Sequence, residues 1–302
     1  MRIHQYGEAS VIRDDDIPRP QPGPGEVLIE VAATSFNPSD VGLRRGLLRS
    51  VVALDLPHTL GGDVAGTVVD VGRGVHTLAA GDPVIGRIGG AAAEYVTTDA
   101  ATLVTAPGAI PLAHAAAIPV AGLTAWQAVV EHAHVAAGQR VLVNGAGGGV
   151  GGFAVQLAKL AGAHVIATAG PRSTDVVRRH GADEIVDYTA TPLADALDGP
   201  VDAILNLVPM SAEQAATLLP LIRPGGIVVS VTVPITAPAG SQVSAVHFVA
   251  RNDTRHLAAL VELIDAGTVR VDIAATRRFT DLPSVHRDAE DGRTRGKIIL
   301  VP

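Results

Sequence analysis

One stretch of the chain restricts the fold more than any other. Residues 140–160 read RVLVNGAGGGVGGFAVQLAKL. The apolar run 141–143 is typical of a parallel strand buried on both faces, and residues 145–152 then form a turn with few β-carbons. A following helix is indicated by apolar residues at helical spacing and a glycine at a C-cap position, namely Val150, Phe153, Leu157, Leu160 and Gly162. This order predicts a pyrophosphate cradle, because bare backbone and a helix N-terminus both favour a bound phosphate.

The glycine pattern alone is weak evidence for a dinucleotide site. Ala146 stands where the frame G-x-G-x-x-G places its first glycine. The alternative is a glycine-rich turn that binds nothing. The strand before the turn and the helix after it favour the dinucleotide site.

Composition excludes several classes of protein. A chain of 302 residues suits two domains of about 150 residues each. The net charge is -7 and the basic residues form no run longer than pairs, so neither nucleic acid nor an anionic membrane is indicated as a partner. Residues 1–10 lack the apolar core of a signal peptide, and no apolar run approaches the roughly 18 residues that span a bilayer. We therefore expect a cytoplasmic protein.

The predicted pattern of secondary structure changes twice along the chain. Residues 1–111 hold short β-rich segments separated by glycine and proline, which favours a β-barrel-like domain. Residues 112–246 alternate helices with short apolar strands, which predicts a doubly wound parallel sheet. Residues 247–302 are expected to return to the first domain. Strands are predicted at 27–31, 64–71, 84–85, 93–96, 141–144, 164–167, 185–187, 201–205, 227–233 and 297–301, and a late helix at 257–266.

Ordered motifs span nearly the whole chain. They are Asn37-Pro38-Ser39-Asp40, Pro57-His58-Thr59-Leu60-Gly61-Gly62-Asp63-Val64-Ala65-Gly66, Gly81-Asp82-Pro83-Val84, Ala93-Glu94-Tyr95-Val96, Pro119-Val120-Ala121-Gly122-Leu123-Thr124-Ala125-Trp126, Pro224-Gly225-Gly226 and Arg295-Gly296-Lys297. In this order they resemble the zinc-free quinone oxidoreductase branch of the medium-chain dehydrogenase/reductase superfamily, the ζ-crystallin-like NADPH enzymes. The resemblance implies an α/β chain, with a GroES-like β-barrel catalytic domain formed by both chain ends and an inserted Rossmann domain. It also implies a homodimer.

The same resemblance implies which residues hold the cofactor. The turn matches the family form G-A-x-G-G-V-G in Gly145, Ala146, Gly147, Gly148, Gly149 and Val150. Asn37 and Thr124 are carried over as polar contacts to the cofactor or its ring edge, and they are the catalytic candidates. Asn37 also lies in an Asn-Pro-x-Asp turn, so a backbone-capping role is an equal alternative. Asp40 is expected to brace that turn.

The residues that follow the second strand of the parallel sheet should determine which nicotinamide cofactor binds. An NAD enzyme places Asp or Glu near Thr168 to bind the ribose diol, and none is present. Arg172 and Ser173 offer the guanidinium and hydroxyl that a 2′-phosphate needs, which predicts NADPH. The alternative is that Ser173 only caps the next helix and Arg172 is solvated. Tyr188 resembles the family tyrosine along the adenosine phosphate end.

An apolar substrate pocket is a weaker prediction. Thr232 and Phe248 are candidate cofactor contacts and Phe248 also a pocket residue, each as readily explained by core packing. Many relatives carry a tyrosine after the position of Arg45-Gly46, where this chain has Leu47 and Leu48, so protonation by water becomes the default. An apolar entrance would be formed by Leu47, Leu48, Val51, Val52 and Leu54, although a simple packing loop explains them as well.

The sequence predicts no metal site. Zinc alcohol dehydrogenases of the superfamily carry Gly-His-Glu where this chain has Gly61-Gly62-Asp63. Cysteine is absent, which excludes disulfides, thiolate nucleophiles and cysteine ligands to zinc, and the eleven histidines are scattered singly.

These patterns together predict an NADPH-dependent, zinc-independent reductase. It would transfer hydride to a quinone or to the β-carbon of an α,β-unsaturated carbonyl, with the protein supplying proximity, an apolar pocket and donors for the developing oxyanion. A pathway-specific enoyl or ring-forming reductase is one alternative. An NADPH-binding sensor or structural protein with little catalysis is another.

Overall fold

The computed structural model describes residues 1–50 and 52–302, so Val51 of the predicted entrance lies outside the described residues. The chain forms two compact units. The first, here called the β unit, comprises Met1–Val120 and Asn252–Pro302. The second, the α/β unit, comprises Ala121–Arg251.

Strands and helices are numbered along the chain. The strands are β1 (Arg2–Ile3), β2 (Ile12–Arg13), β3 (Glu26–Phe36), β4 (His58–Thr59), β5 (Asp63–Val71), β6 (Pro83–Arg87), β7 (Tyr95–Asp99), β8 (Leu103–Thr105), β9 (Arg140–Asn144), β10 (His164–Thr168), β11 (Glu184–Val186), β12 (Val201–Asn206), β13 (Ile222–Ser230), β14 (Ser244–His247), β15 (Ile273–Arg278) and β16 (Lys297–Val301). The helices are α1 (Pro38–Arg45), α2 (Leu112–Ala115), α3 (Pro119–Trp126), α4 (Gly149–Leu160), α5 (Thr174–Arg179), α6 (Leu193–Ala196), α7 (Ala212–Ala216), α8 (Thr254–Asp265) and α9 (Leu282–Glu290).

The β unit is organised around the long strand β3. β3 pairs antiparallel with β5, β7 and β16, and the main sheet runs in the order β15-β16-β3-β5-β6-β8. A smaller sheet has the order β2-β1-β4. Because β16 pairs with the last residues of β3, the C-terminal strand lies beside the start of α1. This register decides which polar residues meet in the candidate site.

The α/β unit contains a parallel sheet in the order β11-β10-β9-β12-β13-β14. Counted from its own first strand, this order is 3-2-1-4-5-6, the order of a doubly wound dinucleotide-binding sheet. The apolar runs of the central strands β9 and β12 are buried, as predicted. Strand β14 was not predicted from the sequence, because this short edge strand is mostly exposed and carries no continuous apolar run.

Several predicted boundaries differ from the structure. Strand β13 extends over Ile222–Ser230 and not over 227–233, and β7 is Tyr95–Asp99 and not 93–96. The units divide at 120/121 and 251/252, whereas the sequence placed the divisions at 111/112 and 246/247. Helix α2 packs on β3 and β5 of the β unit, and Arg251 bonds to residues of the α/β unit, which accounts for the difference.

Helix α4 follows the predicted pattern except at its last residue. Phe153 and Leu157 are buried, whereas Leu160 is 52% exposed. Gly162 has a φ of 84°, the left-handed conformation expected of a residue that ends a helix. No helix in residues 1–50 and 52–302 has the length and apolar character needed to cross a membrane.

Candidate functional site

The glycine turn joins β9 to α4, and two of its glycines are required by the fold. Gly145 has a φ of 97°, and a β-carbon there would lie 2.6 Å from Val208 Cγ1. A β-carbon on Gly151 would overlap the carbonyl oxygen of Gly145. The close approach of α4 to the turn therefore depends on glycine at 151.

Gly148 has no such folding requirement. It occupies the N-cap position of α4 with a φ of -86°, which any L-residue adopts, and it is exposed. A β-carbon there would meet only Gly145 O, at 3.4 Å, which is an ordinary contact. The space above Gly148 is therefore open in the protein itself. Open backbone at a helix N-terminus suits the phosphates of a dinucleotide.

A polar network supports the turn from below. Thr168 Oγ1 accepts a hydrogen bond from Gly145 N–H at 2.8 Å and donates to Asn144 Oδ1 at 3.0 Å. Asn144 Nδ2 donates to Asn206 Oδ1 at 2.9 Å, and Asn206 Nδ2 reaches Ser230 Oγ and Thr232 Oγ1, each at 3.2 Å. The hydroxyls of Thr168 and Thr232 thus have partners inside the protein, and their cofactor contacts stay predictions.

Sequence reasoning missed three members of this network, Asn144, Asn206 and Ser230. A signal was present, because each residue ends an apolar strand of the parallel sheet. Ligands of such sheets bind outside the carboxyl ends of the strands. Polar residues at three such ends indicate the same edge of the sheet.

The predicted adenosine residues lie around the turn between β10 and α5. Ser173 is the N-cap residue of α5, yet its side chain makes no capping hydrogen bond. Its hydroxyl faces Gly147, because a β-carbon on Gly147 would lie 2.6 Å from Ser173 Oγ. Tyr188 is 61% exposed, and its Oη would be 3.4 Å from a β-carbon on Gly170. Arg172 directly precedes Ser173 in the chain and is exposed.

The remaining predicted cofactor and pocket residues differ in burial and in their contacts. Thr124 is buried on α3. The Phe248 ring packs on His132, with 4.2 Å between the ring centroids. Leu47 is 71% exposed, whereas Leu48 is partly buried against Gly42 of α1. Phe248 is half-buried, and its cofactor and pocket roles stay predictions beside the core alternative.

The β unit contains a second polar cluster, centred on the buried carboxylate of Asp63. Asp63 Oδ1 accepts a hydrogen bond from Val120 N–H at 2.7 Å. Asp63 Oδ2 accepts from Asn37 Nδ2 at 2.8 Å and from the hydroxyl of Ser35. The ammonium of Lys297 lies 3.6 Å from the same oxygen. A buried carboxylate is stable only with such partners.

Asn37 is held on both sides of its amide. Lys297 Nζ donates to Asn37 Oδ1 at 2.8 Å, and Asn37 Nδ2 donates to Asp63. The predicted bracing role of Asp40 has a direct counterpart, since Asp40 Oδ2 accepts the backbone N–H of Asn37 at 2.9 Å. Asn37 is therefore both the residue before α1 and a member of the Asp63 cluster.

Burial controls the charges in this cluster. It raises the pKa of Asp40 to about 7, with Asp63 adding to the rise, while the Asn37 N–H and Lys297 act in the opposite direction. Burial also lowers the pKa of Lys297, against the attraction of Asp63 and Asp40. The charged form of Lys297 is therefore supported by the two neighbouring carboxylates, and the charged form of Asp40 by the Lys297 ammonium.

Among residues 1–50 and 52–302, no group of three or more histidine, aspartate or glutamate side chains is placed to hold a metal ion. At the position of the superfamily's zinc signature, Asp63 is occupied by hydrogen bonds and by Lys297.

Fold and site together define a class of protein. A sheet of order 3-2-1-4-5-6 with an open glycine turn after its first strand is the architecture of dinucleotide-dependent dehydrogenases and reductases. Comparison with known proteins agrees. Residues 23–108 match the alcohol dehydrogenase GroES-like domain, and residues 180–300 match the zinc-binding dehydrogenase family.

Individual relatives cover the whole chain. The chloroplast envelope quinone oxidoreductase homolog of Arabidopsis thaliana is 34% identical, over 100% of this chain and 98% of that protein. The 2-methylene-furan-3-one reductase of Solanum lycopersicum is 30% identical, over 98% of this chain and 77% of that protein. The crystal structure of Escherichia coli quinone oxidoreductase complexed with NADPH matches with a TM-score of 0.89 at 25% identity, over 100% of this chain and 99% of that chain.

The chain therefore belongs to the quinone oxidoreductase branch of the medium-chain dehydrogenase/reductase superfamily. It is an oxidoreductase that uses a nicotinamide cofactor and acts on a small molecule. The expected α/β fold, with a GroES-like domain and a Rossmann sheet, is confirmed.

Proposed function

We propose that the chain is an NADPH-dependent reductase that transfers hydride to a quinone or to the β-carbon of an α,β-unsaturated carbonyl. The proposal depends most on the turn at Gly148. The space beside this residue is open, although the fold itself does not require a glycine there. The names of the relatives support the substrate class, since one is a quinone oxidoreductase homolog and another reduces a methylene furanone.

The glycine turn and the residues after β10 would hold the cofactor. The backbone N–H groups at the start of α4 would bind its phosphates, and the network through Thr168 keeps Gly145 in place. When bound, the reduced nicotinamide supplies the hydride. Asn37 and Thr124 would orient the reacting ring. With Leu47 after Gly46, no tyrosine stands at that position to give a proton, and water would protonate the product.

The preference for NADPH is proposed from Arg172 and Ser173. A guanidinium and a hydroxyl that is not used for capping suit a 2′-phosphate. Arg172→Ala is expected to weaken NADPH binding about tenfold or more and to change NADH binding less than about twofold, because only NADPH carries that phosphate. Dissociation constants for both cofactors, measured by fluorescence titration, give the comparison.

Arg178→Ala is the matched control for the NADPH test. Arg178 is an exposed arginine of α5 that pairs with Asp175 at 3.0 Å. Its removal changes the net charge by the same amount, so general electrostatic attraction would weaken NADPH equally in both variants. Equal losses for NADPH and NADH in Arg172→Ala would show that Arg172 does not bind the 2′-phosphate.

Turnover is tested by NADPH consumption with a simple naphthoquinone and a panel of enones. The proposed reductase consumes NADPH with at least one acceptor. Binding of NADPH without turnover of any acceptor would contradict the proposal and favour the sensor or structural alternative. Activity confined to one enoyl substrate would favour the pathway-specific reductase. The homodimer and the cytoplasmic location stay predictions.

A further inference from the structure

Lys297 is a buried lysine that the mechanism above does not use. It is the first residue of β16, and the pairing of Ile298 with Phe36 places it beside the end of β3. Only 4% of it is exposed. Its ammonium reaches Asn37 Oδ1 at 2.8 Å, Phe36 O at 3.3 Å and Asp63 Oδ2 at 3.6 Å. A lysine in such a place costs free energy unless its partners compensate, so its contacts need an explanation.

The partners of Asn37 determine which way its amide faces. An ammonium only donates hydrogen bonds, so the atom of Asn37 that faces Lys297 is Oδ1. An ionised carboxylate only accepts, so the atom that faces Asp63 is Nδ2. The two neighbours thus agree on one orientation of the amide. If only one of the two neighbours were present, only one side of the Asn37 amide would be held by a hydrogen bond.

The orientation also limits what Asn37 offers to a ligand. Its Nδ2 group donates to Asp63 Oδ2 at 2.8 Å and, more weakly, to Ser35 O at 3.4 Å. Its Oδ1 accepts from Lys297 and keeps a second lone pair. The free capacity of Asn37 is therefore that of an acceptor.

We infer that Lys297 is a positioning residue that, together with Asp63, holds Asn37 with its carbonyl oxygen as the ligand-facing acceptor. The inference rests on the proposed function, in which Asn37 contacts the bound cofactor. The complementary group is an N–H or O–H donor on the cofactor. Asn37 is accordingly not a donor to the oxyanion that develops on the substrate.

A double-mutant cycle tests the positioning role. Lys297→Met and Asn37→Ala are each expected to weaken NADPH binding about tenfold, and the double variant is expected to bind no more weakly than the weaker single variant. This follows if Lys297 acts through Asn37, because no amide remains to be positioned in Asn37→Ala. Additive losses would show a separate structural effect of Lys297 and would overturn the inference.

Lys297→Met removes the cation beside Asp63 and is therefore expected to lower the stability of the protein. Thermal unfolding of each variant shows whether it folds. If Lys297→Met does not fold, Lys297→Arg replaces it in the cycle, because a guanidinium keeps a positive charge beside Asp63 but differs in shape and hydrogen-bond geometry from the ammonium that faces Asn37. The dissociation constant is measured without an acceptor. A wild type that binds NADPH but reduces nothing would therefore contradict the proposed function while the cycle still decides the role of Lys297.

The acceptor assignment is tested on the wild-type protein. With ¹⁵N-labelled asparagine, the side-chain amide signals of Asn37 are identified by their loss in Asn37→Ala. Slow hydrogen exchange is expected both without and with NADPH, because the amide protons are bonded inside the protein. Fast exchange that becomes slow only on addition of NADPH would show that the ligand takes these protons, and it would overturn the assignment.

Discussion

Gly148→Ala is expected to leave the stability of the protein unchanged and to weaken dinucleotide binding at least thirtyfold, about 2 kcal/mol. The backbone at Gly148 accepts an L-residue, and the added β-carbon meets only Gly145 O at 3.4 Å. The same β-carbon occupies the open space over the N-terminus of α4, where the proposed pyrophosphate must approach. Thermal unfolding and a fluorescence titration with NADPH measure the two effects.

Gly151→Ala is the matched control three residues further on. Its β-carbon would overlap Gly145 O inside the turn. We therefore expect a loss of stability of about 3 kcal/mol, the upper end of the overpacking range, with a correspondingly lower melting temperature. If Gly148→Ala bound NADPH like the wild type, the turn would not be the phosphate site. If it lost as much stability as Gly151→Ala, glycine at 148 would serve the fold.

Asp63→Ala is expected to destabilise the β unit by about 4 kcal/mol. Three donors lose a hydrogen-bond acceptor in this variant, namely Val120 N–H, the Ser35 hydroxyl and Asn37 Nδ2, and the Lys297 ammonium loses its ion-pair partner. The uncompensated ammonium carries the largest cost, because it is buried and cannot be rehydrated without opening the sheet. Urea titration gives the free energy of unfolding.

The control variant lies on the same strand. Asp70 of β5 is exposed, and its Oδ1 accepts a hydrogen bond from the adjacent Val71 N–H. Asp70→Ala is therefore expected to change stability by less than about 0.5 kcal/mol. Asp63→Ala combined with Lys297→Met should recover part of the loss, because the buried ammonium is removed together with the carboxylate that balanced it. A loss below about 1 kcal/mol for Asp63→Ala would contradict the proposed importance of the ion pair.

Local pattern predicted much of the fold. The strands of the parallel sheet could be placed because each is a short run of Val, Ile, Leu or Ala buried on both faces, which leaves a strong signal. Strand β14 lacked that signal, since an edge strand needs only backbone partners on one side. Leu160 shows the converse error, because helical spacing indicates a face of the helix but not where the covering layer ends.

The part of the candidate site that is formed by residues close together in sequence could be predicted. Residues 140–160 specified a strand, an open turn and a helix by themselves, because each conformation depends on near neighbours and on glycine at 145 and 151. They also implied a dinucleotide before any tertiary contact was known. The family resemblance then depended on ordered local motifs of the same kind.

The tertiary structure alone decided what Asn37 can do. Lys297 is 260 residues away in sequence from Asn37, and Asp63 is 26 residues away. They meet because β16 pairs with the last residues of β3 while β5 pairs with the preceding residues of the same strand. No local pattern encodes a contact made by strand pairing across such distances. The sequence by itself predicted a dinucleotide cradle, and only the folded sheet decided which atom of Asn37 is left to accept a hydrogen bond.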